Sequence, residues 1–189
     1  MFLASEIGAL FAEIDPAGRP MSYFSRQVRA MHQSGAILPD GLVGQGKTAA
    51  FGYDYEALLI ARIGSQLIDL GVPMAAVKLV RDLFWSELSD KTIWRSLIRR
   101  KRAEIGETVY LDLRHDPAQK PPWRCALIEG NGESTRSAAV IRVDLPILLR
   151  SMPDWDPNAD KGTVEVRPGY QGLLSRKARS VTQNVTRNN

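Results

Sequence analysis

The sequence predicts an α+β fold, with a mainly helical N-terminal part, a small antiparallel β-sheet module after it and a flexible tail. Three observations predict it. Apolar residues recur at helical spacing on both sides of a glycine-rich hairpin in the first 90 residues, alternate at strand spacing between residues 108 and 143, and lose all periodicity after Pro153.

The first clear helical pattern opens at Ser22, a residue that can cap free backbone amides, and closes at Gly35, a usual helix terminator. The spacing of Phe24, Val28 and Met31 predicts a core-facing side. The outward side chains can reach phosphates or base edges, although an ordinary solvated face is the alternative. The predicted DNA-contacting residues of this helix are Ser22, Tyr23, Ser25, Arg26, Arg29 and Gln33.

A glycine-rich hairpin follows the helix. Residues 36–39 and 49–53 are short apolar runs that predict two strands, and the segment between them contains three glycines. Lys47 and Thr48 stand beside these glycines, where an ammonium and backbone amides can approach a phosphate. A plain connection is the alternative interpretation.

Two further helices are predicted directly after the hairpin. Asp54 is a good cap, and an apolar stripe then leads to Gly71: Tyr55, Leu59, Ile63, Leu67 and Leu70. Pro73 marks the start of the next helix, since proline suits the first helical position. The order helix, hairpin, helix, helix predicts a winged helix-turn-helix over residues 1–88.

These residues resemble MerR-type winged-helix transcription regulators. Residues 29–39 look like the end of the recognition helix and the first wing strand, and Phe51-Gly52-Tyr53 with Asp54, Tyr55 and Leu58 looks like the second wing strand and the next helix. Residues 67–73 with Val77 resemble the turn into the following helix. The resemblance implies a sequence-specific regulator that binds double-stranded DNA as a homodimer and works with the transcription machinery.

A basic amphipathic helix is predicted over residues 89–104. Residues 91–102 contain six basic side chains and no acidic one: Lys91, Arg95, Arg99, Arg100, Lys101 and Arg102. Arg95 and Arg99 would contact DNA if this helix belongs to a second helix-turn-helix. Trp94 and Leu97 would form a dimer seam if it is the dimerisation helix that the resemblance implies. A solvated charge run and, least favoured, a membrane-surface helix are the alternatives.

In the C-terminal half, the alternation of apolar and polar residues predicts a small β-rich module over residues 105–152. Strands are expected at 108–114, 124–129 and 138–143, with the loop 130–137 forming a hairpin between the last two, and a short helix from Asp144 through Met152. Residues 153–189 are expected to be a disordered basic tail.

The composition limits the classes of function that we expect. The 189 residues are 44% hydrophobic, carry a net charge of +4 and form one or two domains. A single cysteine, Cys125, fits a reducing cytosol, and no bilayer-spanning stretch is expected, so a cytoplasmic, nucleoid-associated protein is predicted. No cofactor or metal is expected.

An enzyme is the disfavoured class. Asp112, His115 and Asp116 lie close together in the sequence, but an Asp-Pro turn after a strand explains them without catalysis. No phosphate-binding loop, dinucleotide-binding glycine pattern or nucleophile elbow is found. The prediction is therefore a DNA-binding transcription regulator, with a DNA-bending architectural or recombination accessory protein and a module that binds an acidic protein partner as the alternatives.

Overall fold

The computed structural model describes residues 1–44, 49–87, 109–129 and 139–152. Within these residues the fold is mixed α+β, with five helices and two antiparallel sheets of three strands each, so the predicted fold class is confirmed at this level. In chain order the elements are β1 (Phe2–Leu3), α1 (Ala4–Glu13), α2 (Met21–Ser34), β2 (Gly41–Val43), β3 (Ala50–Tyr53), α3 (Tyr55–Asp69), α4 (Met74–Glu87), β4 (Val109–His115), β5 (Trp123–Glu129), β6 (Ala139–Asp144) and α5 (Leu145–Leu149).

Helix α2 is the predicted helix, with one correction at its start. It ends as expected at Gly35, whose positive φ of 74° is easy for glycine. The predicted cap at Ser22 is wrong, because the helix already begins at Met21 with Pro20 at the cap position and no side-chain cap bond. The Pro20 carbonyl instead accepts a backbone hydrogen bond from Tyr23 at 2.9 Å.

Helix α1, which the sequence analysis did not predict, packs along α2. Ile7 and Phe11 are fully buried, and the rings of Phe11 and Phe24 meet edge to face at 6.0 Å. Gly8 lies at the crossing, where its missing side chain lets the two helices approach closely.

The first sheet has the order β1-β3-β2, with Leu42 opposite Phe51 and Phe2 opposite Tyr53. The expected first strand at 36–39 is wrong, since the paired strand is Gly41–Val43. Ala36 and Ile37 are buried because their backbone amides fold back onto the Met31 carbonyl at the end of α2. These apolar residues are therefore buried at the end of α2 and do not form a strand.

Helix α3 is the most enclosed helix. As predicted, the Asp54 carboxylate caps it and accepts a hydrogen bond from the Ala57 amide at 2.6 Å. Eleven of its 15 residues are buried. Leu70 departs from the predicted stripe and is 54% exposed, because it lies beyond the last helical residue in the turn that Gly71 completes.

The second sheet has the order β5-β4-β6, and its strands lie within one residue of the predicted ones. The predicted hairpin between the last two strands is wrong, since β5 and β6 both pair with β4: Leu113 lies opposite both Cys125 and Ile141. Strand β4 is central because it pairs with both β5 and β6. Consistent with this position, Val109, Leu111, Asp112 and Leu113 are all buried. The Asp144 carboxylate caps α5 as expected, although this helix ends at Leu149.

One hydrophobic core runs through both sheets and the helices between them. Helix α4 packs on β5, and α3 packs on α5. In the described parts of the chain, no helix is long and apolar enough to cross a membrane.

Candidate nucleic-acid interface

One face of α2 is polar, basic and exposed. Ser22, Arg26, Arg29 and Gln33 are spaced by four, three and four positions, which places them along a single helix face. The helix contains no acidic residue. This face therefore presents two cations and two hydrogen-bonding side chains to solvent.

The two arginines on this face keep their charge available. The Arg26 Nε donates a hydrogen bond to the Ser22 carbonyl oxygen at 3.1 Å, within the helix itself. Neither Arg26 nor Arg29 forms an ion pair with any residue that the structure describes. Among the described residues, their guanidinium groups can consequently bind an external anion without breaking an ion pair.

Ser25 is a correction to the predicted DNA-contacting set. Phe24, Val28 and Met31 are buried as predicted, but Ser25 is buried as well, at 6% exposure. It lies against Gly8 of α1, where a side chain on that glycine would collide with the Ser25 Oγ. The close crossing of α1 widens the buried face of α2 beyond the three apolar positions.

Tyr23 is half-buried and attached to α3. Its hydroxyl donates a hydrogen bond to the Asp69 carboxylate at 2.8 Å, and its ring meets Phe24 edge to face. The Arg19 guanidinium lies 4.9 Å from the centre of the Tyr23 ring. These contacts hold the first turn of α2 in place, and the hydrogen bond to Asp69 raises the pKa of Tyr23.

Arg19 fixes the turn between α1 and α2. Its Nε and Nη2 donate to the two carboxylate oxygens of Asp15 at 2.9 and 2.8 Å, and its Nη1 lies 2.8 Å from Asp69. The hydrogen bond from Arg19 holds the pKa of Asp15 well below its usual range, while the pKa of Arg19 is raised by the same bond. Arg19 thus attaches the turn to Asp15, just after α1, and to Asp69 at the end of α3.

Gln27 attaches the middle of α2 to α3. Its Nε2 donates to Asp69 at 2.9 Å, and its Oε1 accepts a hydrogen bond from the Ser65 hydroxyl at 2.7 Å. This contact has no local signal in the sequence, because the partners of Gln27 lie 38 and 42 positions away. Both of its polar ends are satisfied, as burial requires.

The hairpin continues the surface at the C-terminal end of α2. The His32 ring stacks on Phe51 of β3 at 4.5 Å between ring centres, and it meets Tyr53 edge to face at 5.9 Å. Phe51 remains 39% exposed. The last turn of α2 and strand β3 therefore form one continuous patch.

Six of the predicted site residues lie outside the described residues. They are Lys47 and Thr48 in the hairpin and Trp94, Arg95, Leu97 and Arg99 in the basic segment. The predicted basic helix at 89–104 and the tail at 153–189 lie outside them too.

Asp112 and His115 of β4, and Asp116 directly after it, each have separate partners. Asp112 is fully buried and ion-paired with Arg142 at 2.7 Å and Arg114 at 3.3 Å, and the Arg142 hydrogen bond lowers its pKa. The Asp116 carboxylate accepts a hydrogen bond from the Ala118 amide at 3.0 Å, which is the turn that the sequence suggested as the alternative. His115 lies against Trp123.

Cys125 lies on β5, opposite Leu113. Burial raises the pKa of its thiol to about 12, so the thiolate that nucleophilic or metal chemistry needs is scarce at neutral pH. In the part of the chain that the structure describes, no group of three or more His, Cys, Asp or Glu side chains is placed to hold a metal ion.

No known protein family and no curated protein matches the chain.

Proposed function

We propose that the protein is a sequence-specific transcription regulator that binds double-stranded DNA, with α2 as its recognition helix and the β2–β3 hairpin as its wing. The observation that carries this proposal is the exposed stripe of α2, which contains no acidic residue and two arginines that form no ion pair within the part of the chain that the structure describes. The order of α2, the hairpin, α3 and α4 supports it, because that order is the one expected from the resemblance to MerR-type regulators.

The stripe has the right chemistry for a major groove. Arginine binds guanine through two hydrogen bonds to O6 and N7, and glutamine binds adenine in the same manner. Arg26, Arg29 and Gln33 provide these groups, and Ser22 can donate to a phosphate. With 14 residues, α2 is about 21 Å long, which suffices to contact several base pairs.

The hairpin would contact the DNA beside the recognition helix. Phe51 offers an exposed apolar surface for a sugar or a thymine methyl group, and Lys47 is predicted to bind a phosphate. A homodimer formed through Trp94 and Leu97, a second contact through Arg95 and Arg99, and association with the nucleoid remain part of the proposal.

Selection of bound duplexes from a random pool, with the whole chain at physiological salt, tests the proposal. We expect enrichment of a short motif. Arg26→Ala and Arg29→Ala should each weaken binding to that motif by about 1 to 3 kcal/mol and relax the preference at one base position. Arg124→Ala, which removes an exposed arginine from β5, is the matched control and should leave the preference intact.

The selection also separates the alternatives. Equal binding to unrelated duplexes, with bending of each, would indicate a DNA-bending architectural or recombination accessory protein. Absence of binding to any duplex would contradict the proposal and favour a module that binds an acidic protein.

A further inference from the structure

Arg81 extends from α4 to the C-terminal end of α2. Arg81 is only 9% exposed. Its Nη1 donates a buried hydrogen bond to the Gly35 carbonyl, and its Nε donates to the Asp82 carboxylate at 2.9 Å. Gly35 is the residue that ends α2. A side chain of α4 is therefore bound to the terminus of the proposed recognition helix.

The chemistry at this terminus favours a cation. The carbonyl groups at the C-terminal end of a helix carry partial negative charge, which a nearby guanidinium stabilises. The Gly35 amide donates back to the His32 carbonyl at 3.0 Å and the Ala36 amide donates to the Met31 carbonyl at 2.8 Å, while the Gly35 carbonyl accepts its hydrogen bond from Arg81. A charge-assisted bond from a buried donor fixes both the position and the direction of this end.

Three helices contact α2 at different points along its length, and Arg81 provides a polar contact from α4. Helix α1 packs at Ser25, α3 binds Gln27, and α4 binds Gly35. The first two lie in the N-terminal half of α2. The C-terminal half contains Arg29 and Gln33 on its outer face, and the hydrogen bond from Arg81 is made at its end.

We propose that Arg81 is a positioning residue for DNA recognition, which holds the C-terminal half of α2 at the angle at which Arg29 and Gln33 reach the bases. This inference rests on the proposed function. Because Arg81 is buried, it does not touch DNA itself and acts only through Gly35. It therefore determines the preference for one sequence over another rather than the general attraction to phosphates.

The test compares Arg81→Met with Lys78→Met, since Lys78 is an exposed cation on the same helix with no polar partner among the described residues. We expect Arg81→Met to bind the selected duplex about tenfold more weakly while its affinity for unrelated duplexes and its salt dependence stay unchanged. Arg81→Lys should recover most of the loss, because an ammonium can also donate to the Gly35 carbonyl. Lys78→Met should keep the ratio of specific to unrelated binding.

A second measurement is independent of DNA. Amide hydrogen exchange at residues 34–37 should be faster in Arg81→Met than in the unchanged protein and in Lys78→Met. If Arg81→Met fails to fold, Asp82→Ala replaces it. This change removes the exposed carboxylate that orients the Arg81 guanidinium, so we expect the same changes in binding and exchange, but smaller ones.

The outcomes separate the two proposals. Unchanged exchange at residues 34–37, or an unchanged preference for the selected duplex, would overturn the role of Arg81 while leaving DNA binding intact. If the unchanged protein binds no duplex, the proposed function fails, and faster exchange in the variant would then show only that Arg81 holds the end of α2, which overturns its role in recognition.

Discussion

The Tyr23 hydroxyl donates its hydrogen to the Asp69 carboxylate at 2.8 Å, which joins the first turn of α2 to the last residue of α3. The same carboxylate also binds Arg19 and Gln27. Asp69 thus connects the turn before α2 with two positions on that helix. Tyr23, Gln27 and Arg19 therefore fix the position of α2 through Asp69 and do not add to its exposed polar face.

Tyr23→Phe should lower the free energy of unfolding by about 1 kcal/mol, because it removes one hydrogen bond and keeps the ring packing. Its affinity for the selected duplex should stay unchanged, since the hydroxyl is bound to Asp69. Thermal or denaturant unfolding and a DNA titration measure the two effects. A loss of affinity larger than the loss of stability would instead place Tyr23 in contact with DNA.

Ser25→Ala should leave the affinity for DNA unchanged and should keep or slightly raise stability, by at most about 1 kcal/mol. The Ser25 Oγ is buried and makes no hydrogen bond within the described parts of the chain, so its removal relieves a desolvated polar group. Ser22→Ala is the matched control on the exposed face and should weaken binding. Equal affinity losses in the two variants would contradict the assignment of Ser25 to the helix interface.

Gly8→Ala should destabilise the protein by about 1 to 3 kcal/mol, because the added methyl group forces α1 away from α2. The new carbon would lie 2.9 Å from the Ser25 backbone nitrogen and 3.0 Å from the Met21 carbonyl oxygen. Removing the hydroxymethyl group with Ser25→Gly should therefore not restore stability. Full rescue by that second change would show that the side chain alone limits the approach; exposed Ala9→Ser serves as the control.

Acid should destabilise the protein through Asp15 and Asp112. The hydrogen bond from Arg19 lowers the pKa of Asp15, and the one from Arg142 lowers the pKa of Asp112, both from an ordinary value of 3.8. Folding is therefore stabilised by these carboxylates above pH 3.8, and this contribution is lost as the pH falls from there toward the lowered values.

Denaturant unfolding across the acid range measures this loss. Asp15→Asn and Asp112→Asn should each be less stable at neutral pH and should show a flatter acid dependence than the unchanged protein. An acid dependence that is the same in both variants would assign the effect to other carboxylates.

Cys125 should resist alkylation in the folded protein at neutral pH, because burial raises its pKa to about 12 and leaves little thiolate. In denaturant the same thiol should react readily. Mass spectrometry of iodoacetamide-treated protein follows both reactions, and the chain has no other cysteine to confuse the count. Rapid alkylation of the folded protein would show that β5 opens or that its environment is not apolar.

Sequence reasoning succeeded where local chemistry decides the structure. Gly35 ended α2, Asp54 capped α3 and the alternation around Leu111 marked β4, because caps and periodicity act over a few neighbouring residues. The exposed positions of Arg26 and Arg29 followed from the same periodicity.

Contacts between distant residues could not be predicted in this way. Strand β1 pairs with β3 across about 50 positions, and Gln27 meets Ser65 across 38. Periodicity assigns a residue to a face and does not name the element that covers it, which explains the errors at Ser25 and at the partner of β6. Arg81 likewise had no signal, because its acceptor is a backbone carbonyl 46 positions away.

The core shared by α3, α4, α5 and β5 has a practical consequence for producing the protein. Trimming the chain near residue 88 to isolate the proposed DNA-binding part would uncover apolar surface on α3 and α4 that the C-terminal sheet and α5 now cover. Such a fragment would be prone to aggregate, and α4, which carries Arg81, would lose the strand that packs on it. Binding measurements on this protein therefore need both sheets.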